Sequence, residues 1–166
     1  MTKRQALLFG SILVVSIGCD HATKEMARSA LAASPGLSLV GDAVRFELVA
    51  NPGAFLSLGA RLPDGARDVA FLVLAPLGLL IVCALLLGSG RVSRSQIVAL
   101  GFVAGGGLAN WIDRLLHSGA VTDFVSVGIG PLRTGIFNLA DVAILLGVAL
   151  LLFRHRIPRN IGENAA

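Results

Sequence analysis

The stretch VVSIGCDHATKEMA, Val14 to Ala27, decides how the rest of the chain is read. It follows a basic start (Lys3, Arg4) and an apolar run, and it contains Cys19, Asp20 and Lys24. A charged start, an apolar stretch and small residues before a cysteine have the outline of a cleavable leader. On that reading the mature chain begins at Cys19 and the first helix is discarded. On the other, the segment stays as a membrane helix that carries Asp20 and Lys24 for a purpose.

Composition narrows the choice. The chain has 166 residues, 55% hydrophobic and 14% charged, with a mean hydropathy of +0.81. Soluble domains carry about 25% charged residues, so this is a membrane protein, and its length suits a single domain, 1–166. The net charge of +4 is modest. With no basic stripe and no interleaved aromatics, no nucleic-acid partner is expected. Cys19 and Cys83 lie in or beside apolar runs without metal-ligand spacing, and no disulfide framework is expected.

Four apolar runs stand out, at Ala6–Gly18, Val69–Leu87, Ile97–Ile112 and Ile136–Phe153. A spanning helix needs about 20 residues. The second and fourth runs qualify directly. The first and third qualify if their helices continue into the polar residues that follow. The expected fold is therefore α-helical, with four transmembrane helices at about 5–28, 69–88, 96–114 and 136–154.

Basic segments mark the cytoplasmic side. Lys3 and Arg4 precede the first run, Arg91 and Arg94 separate the second and third, and Arg154, Arg156 and Arg159 follow the fourth. That alternation puts both termini on the cytoplasmic side of a membrane. The inside segments hold seven Lys/Arg and one acid, Glu163; the longer remainder holds seven Lys/Arg and nine acids.

Two outer segments result. In the larger, Val44, Phe46 and Leu48 alternate with Arg45 and Glu47, the period-two signature of a half-buried strand. NPG at 51–53 reads as a turn. An extracytoplasmic β-rich segment is expected at about 36–62, between helices 1 and 2. The shorter outer segment is Gly-rich and is read as a loop holding Asp123.

The polar residues then fall at one level. Asp20 and Lys24 end the first helix, Asn110, Asp113 and Arg114 end the third, and Asn138 and Asp141 open the fourth. Their spacings of three and four put each group on one helix face. An ionisable side chain costs roughly 2.5–3.5 kcal/mol at a membrane helix centre and therefore faces a partner or a polar cavity. Each group also has a structural reading: Asp20–Lys24 as an interfacial ion pair, Asp113–Arg114 as a helix-end anchor. Trp111 reads as an interfacial belt residue, and Gly105–Gly107 as a close-packing stripe. His21, His117 and His155 lack ligand spacing, so neither a metal nor another cofactor is expected. Asp141, followed by VAILLGVALLLF, is the hardest to dismiss as structural.

No serine or cysteine stands in a nucleophile elbow. Two carboxylates remain, Asp123 and Asp141. Two Asp side chains held close together in a poorly solvated site cannot both ionise, and they titrate as a unit. Such a pair suits peptide hydrolysis: one carboxylate takes a proton from water while the protonated partner polarises the scissile carbonyl.

The segments DHATKEMA, NPGAFLSLG, GGGLANWIDRLLHSGAVTDF and FNLADVAI occur in the order and spacing of the lipoprotein signal peptidases (signal peptidase II). The chain resembles that family over about residues 5–153. The resemblance implies a four-helix aspartic peptidase that cuts diacylglyceryl-modified prolipoproteins just before the lipidated cysteine. It implies Asp123 and Asp141 as the catalytic pair, with Asp20, Lys24, Asn51, Gly53, Asn110, Asp113, Arg114, Asn138 and Ala140 supporting or lining the site. It further implies a site at the extracytoplasmic face, membrane lipid as surroundings, action as a monomer, and inhibition by the cyclic peptide globomycin. Two departures bear on loop shape and substrate fit: Ala109 stands where the family carries Gly, and NPGAFLS brings Pro52 and Phe55.

The competing class is a proton-coupled carrier subunit with Asp141 as its proton site. A carrier places its key acid near the midplane and often shows repeat symmetry, which the sequence lacks. As for the opening stretch, a lipidation box favours Leu three residues before its cysteine, and this chain has Ser16. Removing the segment would also take away the span that orients the other three. It is expected to be retained.

Overall fold

The computed structural model describes residues 1–54, 59–89 and 92–154. Phe55, Arg91, His155, Arg156, Arg159 and Glu163, on which parts of the sequence reading rest, lie outside the described residues.

Four apolar helices form the body. Helix α1 (Lys3–Leu31) begins at a capping box in which the Thr2 hydroxyl accepts from Gln5 N and Gln5 Oε1 accepts from Thr2 N. Helix α2 (Asp64–Gly88) contains a π-helical stretch, Val69–Leu74. Helix α3 (Arg94–Leu116) starts on a second capping box, Ser93 with Gln96. Helix α4 (Leu139–Arg154) is 16 residues long. Capping boxes satisfy backbone N–H groups that a helix start leaves unpaired. The starts of α1 and α3 lie together, with Gln5 Nε2 donating to Val92 O at 3.2 Å. By length and composition α1, α2 and α3 can each cross a membrane, and α4 is a shorter apolar helix.

Helix α3 is central and packs most extensively on α4 and α1. Its glycines permit the approach. A Cβ on Gly105 would stand 2.6 Å from Ser16 Cβ of α1, and one on Gly106 would stand 2.4 Å from the Ala140 carbonyl of α4. Van der Waals packing at small residues is what joins helices in lipid. Gly106→Ala is thus expected to destabilise the protein by about 1–3 kcal/mol, by pushing Ala140 and its neighbour Asp141 off α3. Equilibrium unfolding in mixed micelles checks this; a wild-type stability would count against the close approach.

By contrast, no described residue of α2 is buried. That helix stands against the bundle with most of its surface open.

Strands β1 (Leu37–Leu39), β2 (Val44–Asn51), β3 (Val121–Ile129) and β4 (Leu132–Arg133) form one antiparallel sheet in that order. Two expectations need correction here. The β structure is not confined to the segment between the first two helices, because β3 and β4 come from the segment before α4. Asp123, read as a loop residue, sits on β3. The Gly content hid this strand, although VTDFVSV has β-branched and aromatic residues suited to a pleated surface.

The alternation in β2 also breaks. Phe46 faces Val125, but Val49 faces Asp123, so β2 carries one extra residue between them. Leu48 is consequently exposed, and Glu47 is half-buried. Side chains alternate with a period of two, so one inserted residue moves everything beyond it to the other face. The bulge therefore brings Asn51 onto the same face as Asp123. Ala27 and Leu31 of α1 pack against Phe124, with Phe46 and Val125 beside them, and fix the sheet to the end of α1.

Candidate active site

The polar residues singled out from the sequence converge at the end of the bundle nearest the sheet. Asp20, Lys24, Asn51, Asn110, Asp113, Arg114, Asp123, Asn138 and Asp141 are all buried. They come from α1, β2, α3, β3 and α4, and the start of α4 and the first residues of β3 are where they meet.

Lys24 is fully buried and anchors one side. Its Nζ lies 2.7 Å from Asp20 Oδ2 and 3.1 Å from Asp113 Oδ2, and it donates to Asn110 Oδ1 at 3.0 Å. Asp20–Lys24 is thus an interior pair and not an interfacial one. The other Asp20 oxygen accepts from Ala140 N at 2.8 Å, in the first turn of α4. A carboxylate there completes an orphan donor and complements the helix dipole. This contact accounts for Ala140 among the site residues: its backbone is used.

Asp113 ties α3 to the sheet. Its Oδ2 accepts from Thr122 N at 2.7 Å, and its Oδ1 accepts from Arg28 Nη2 at 2.8 Å. Arg28 also donates to Thr122 Oγ1 at 2.5 Å. The residue before Asp123 is thereby held from two sides. Arg28 and Thr122 were not singled out from the sequence. The signal for Arg28 was available, since 20, 24 and 28 repeat every four residues along one face of α1.

Arg114 spans α3 and the loop after β2. It donates to Gly53 O at 2.7 Å and to Asn110 O at 3.2 Å, and its guanidinium lies 5.1 Å from the Phe71 ring centroid. It is buried, so it is not a simple helix-end anchor. Gly53 N in turn donates to Asn51 Oδ1 at 2.9 Å, the side-chain turn that an Asn-Pro-Gly segment favours.

Three asparagines then set the two carboxylates. An amide can present its oxygen or its NH2 group, and its partners decide which. Asn110 Oδ1 meets Lys24 Nζ, Asn138 Oδ1 meets Asp141 N at 3.0 Å, and Asn51 Oδ1 meets Gly53 N. Each of these partners can only donate. Every NH2 group must therefore point the other way, toward a carboxylate. Asn51 Nδ2 donates to Asp123 Oδ2 at 2.7 Å, Asn138 Nδ2 to Asp123 Oδ1 at 2.6 Å, and Asn110 Nδ2 to Asp141 Oδ1 at 2.9 Å. Asn138 N completes the set by donating to Asp141 Oδ2 at 3.3 Å. Asn138 and Asp141, three residues apart, form a reciprocal cap on α4, not two side chains on one face of a formed helix.

Burial pushes the Asp123 carboxyl up to about 6; the Asn51 hydrogen bond opposes that and the negative Asp141 adds to it. The carboxyls open onto a cavity of about 390 Å³, within the range of small-ligand sites. Asn51, Asn110, Arg114, Asp123 and Asp141 form its polar end. Ala75, Leu79, Leu145 and Val148 form its apolar end. Trp111 lines the cavity too, and its indole N–H donates to Leu72 O of α2 at 3.1 Å. Among the described residues no group of three or more His, Cys, Asp or Glu is arranged to hold a metal ion.

This geometry can be set beside known proteins. A family profile described as "Signal peptidase (SPase) II" matches residues 12–156. The chain is 32% identical over 162 residues to a lipoprotein signal peptidase of Aquifex aeolicus, covering 98% of this chain and 93% of the relative. It is 33% identical over 155 residues to one of Treponema denticola, covering 88% and 87%. A solved structure described as a bacterial membrane enzyme obtained by the in meso method at 2.3 Å superposes with a TM-score of 0.76 at 22% identity, over 89% of this chain and 86% of that one. That last likeness shows the fold, and the sequence matches show the family. With a profile match over most of its length and relatives above 30% identity along nearly all of it, the chain belongs to the signal peptidase II family.

Proposed function

We propose that this chain is a membrane-embedded aspartic endopeptidase that removes signal peptides from diacylglyceryl-modified prolipoproteins, cutting just before the lipidated cysteine, with Asp123 and Asp141 as the catalytic pair. The observation that carries the reading is the charge inventory of the site. Asp20, Asp113, Asp123 and Asp141 face Lys24, Arg28 and Arg114 in one buried or part-buried network. Glu25 and His117, which also meet Arg28 and Asp113, are exposed to solvent; within the buried part, four carboxyls against three fixed cations leave one uncompensated negative charge. Isolated buried charge is costly and is relieved by protonation. Asp20 and Asp113 each have a cation within 3 Å, so the proton belongs to the pair that meets only amide donors and the cavity.

A pair sharing one proton has both functions that hydrolysis needs. The ionised carboxylate takes a proton from a water in the cavity, and the water attacks the scissile carbonyl. The protonated partner donates a hydrogen bond to the carbonyl oxygen as negative charge develops there. Collapse of the tetrahedral intermediate passes a proton to the leaving amine. Asn51, Asn110 and Asn138 are orienting residues, because they fix the carboxylate planes without adding charge. Asp20, Lys24, Asp113 and Arg114 hold those asparagines and the ends of α3, α4 and β3. The apolar end of the cavity accommodates lipid on the substrate cysteine.

The same reading takes α4 as a fourth span, both termini as cytoplasmic, the sheet and site as extracytoplasmic, and the working unit as a monomer blocked by globomycin. A carrier role gains no support, because Asp141 lies in the first turn of α4, at one end of that helix.

The pH dependence follows from the pair. The basic limb of the rate profile is expected where the pair loses its remaining proton, near the value of about 6 that burial and the negative Asp141 set for Asp123. Asn51→Ala removes a donor that stabilises the carboxylate, so this limb moves to higher pH. The stability sign is opposite to that of a salt-bridged acid. A carboxyl raised from 3.8 to about 6 favours the folded state below pH 3.8, and that contribution is lost as pH rises through 6. A pH–rate profile of purified Asn51→Ala with its limb unmoved would remove Asp123 from the pair. The direct test of the function is incubation of the purified protein with a diacylglyceryl-modified precursor, reading release of the signal peptide; an unprocessed precursor refutes it.

A further inference from the structure

The second helix is the least anchored part of the bundle, and the way it is held bears on which substrates fit. Three contacts join the face of α2 that looks into the cavity to α3: Phe71 under Arg114, Leu72 O with Trp111 Nε1, and Leu79 against Gly107. Gly107, Asn110, Trp111 and Arg114 recur at helical spacing and share one face of α3. A Cβ on Gly107 would stand 2.8 Å from Leu79 Cδ2, so glycine is what lets Leu79 in.

The Leu72 carbonyl is available for a local reason. In an α-helix it would accept from the N–H four residues on, and that residue is Pro76, which has none. The π-helical stretch Val69–Leu74 ends just before this proline. The indole N–H of Trp111 therefore takes a carbonyl that the helix cannot satisfy in α register. The ring at the same time forms part of the cavity wall. Trp111 thus does more than mark a membrane interface.

On the opposite side, Asp141, Ile144, Leu145 and Val148 share one face of α4. They run from the carboxylate inward for about 10 Å, at about 1.5 Å per residue. Leu145 and Val148 are exposed, so the cleft between α2 and α4 is continuous with the catalytic end and opens sideways out of the bundle.

We propose that Trp111 is a specificity-determining residue: by holding Leu72 it fixes α2 at the separation at which an alkyl chain of the substrate's lipid lies between Ala75 and Leu79 on one side and Leu145 and Val148 on the other. This rests on the lipidated-substrate reading above. The benefit of a fixed α2 grows with the number of methylenes laid against it, since the gain scales with apolar area buried. Trp111 selects for chain length without touching the reacting atoms.

The test compares synthetic precursors carrying dipalmitoyl-glyceryl or dioctanoyl-glyceryl cysteine, with purified wild type and Trp111→Phe in nanodiscs. Phe keeps a six-membered aromatic ring and loses the donor together with part of the ring that lines the cavity. Loss of one hydrogen bond predicts a fall of about 3- to 10-fold in kcat/KM for the dipalmitoyl precursor. That fall lies in KM with kcat nearly unchanged, and the dioctanoyl precursor stays within about twofold. Pro76→Ala, which returns an N–H to Leu72 O, is expected to shift the ratio in the same direction and serves if Trp111→Phe misfolds. An equal fall for both precursors, a fall confined to kcat, or no change overturns the role of Trp111. A wild type that cuts neither precursor overturns the lipidated-substrate reading instead.

Discussion

Asp123→Asn and Asp141→Asn are each expected to yield a folded, membrane-inserted protein whose processing of a lipidated precursor is slowed by at least about 10³-fold. General acid–base groups contribute about 10²–10⁴-fold each, and in the proposed mechanism one substitution disables both roles, which depend on a proton shared by the two carboxyls. The two variants differ in what they disturb. At position 123 both carboxylate oxygens accept from NH2 groups whose direction is already fixed, those of Asn51 and Asn138. An Asn there presents one NH2 to another NH2, a conflict that costs roughly 1–3 kcal/mol for the unsatisfied donor. Relief of the raised carboxyl offsets part of it at pH 7. At position 141 the oxygen of Asn can still accept from Asn138 N and keep the α4 cap, at the expense of the bond from Asn110. Asp141→Asn is therefore the cleaner test of chemistry. Near-normal processing by purified Asp141→Asn would end the aspartic mechanism, whatever its stability.

The largest effect on stability is expected at Lys24. Its ammonium touches two carboxylates and one amide, with no exposure to solvent. Removing one partner of a buried ion pair costs about 3–5 kcal/mol, because the remaining charge is left uncompensated. Lys24→Met leaves Asp20 without its cation and Asp113 with Arg28 and His117. Asn110 Oδ1 also loses one of its two donors and keeps that of Asn138 Nδ2 at 3.1 Å. Activity should fall with stability, since the amide that donates to Asp141 is then held by one donor instead of two. Asp20→Asn in the Lys24→Met background should restore part of the loss. The Asn oxygen can still accept from Ala140 N, and the uncompensated charge is gone. A double-mutant cycle by equilibrium unfolding in mixed micelles measures this coupling. Effects that add within about 0.3–0.5 kcal/mol would show that the two residues are not a pair. Lys24→Arg is not a conservative control, because a guanidinium is larger than an ammonium and holds its donors in a fixed planar fork.

Much of the site was legible in the sequence because it is written in helical spacing. Asp20 with Lys24, and Asn110 with Asp113 and Arg114, are local patterns, and the expense of charge in apolar helices marks them. Trp111 was misread as a belt residue only, since nothing local distinguishes an indole that faces a headgroup from one that bonds a neighbouring helix. The third strand was missed because VTDFVSVGIG contains both strand and turn residues, and pairing with β2 decided between them. The alternation in β2 was correctly seen and wrongly extended, because a bulge leaves no mark in hydropathy.

The opening stretch shows the division. Its apolar run and its charges determined that one apolar helix continues through Asp20 and Lys24. The Asp20 carboxylate accepts from a backbone N–H 120 positions away, and Asn51 donates to an aspartate 72 positions away. Along-chain patterns report periodicity and the cost of burial, so the sequence by itself determined the helices and which side chains had to face inward. Which acid meets which amide, which way each amide points, and which end of the cavity is apolar depend on contacts between distant segments. Those were decided only when α3 brought α1 and α4 together and the β2 bulge turned Asn51 toward Asp123.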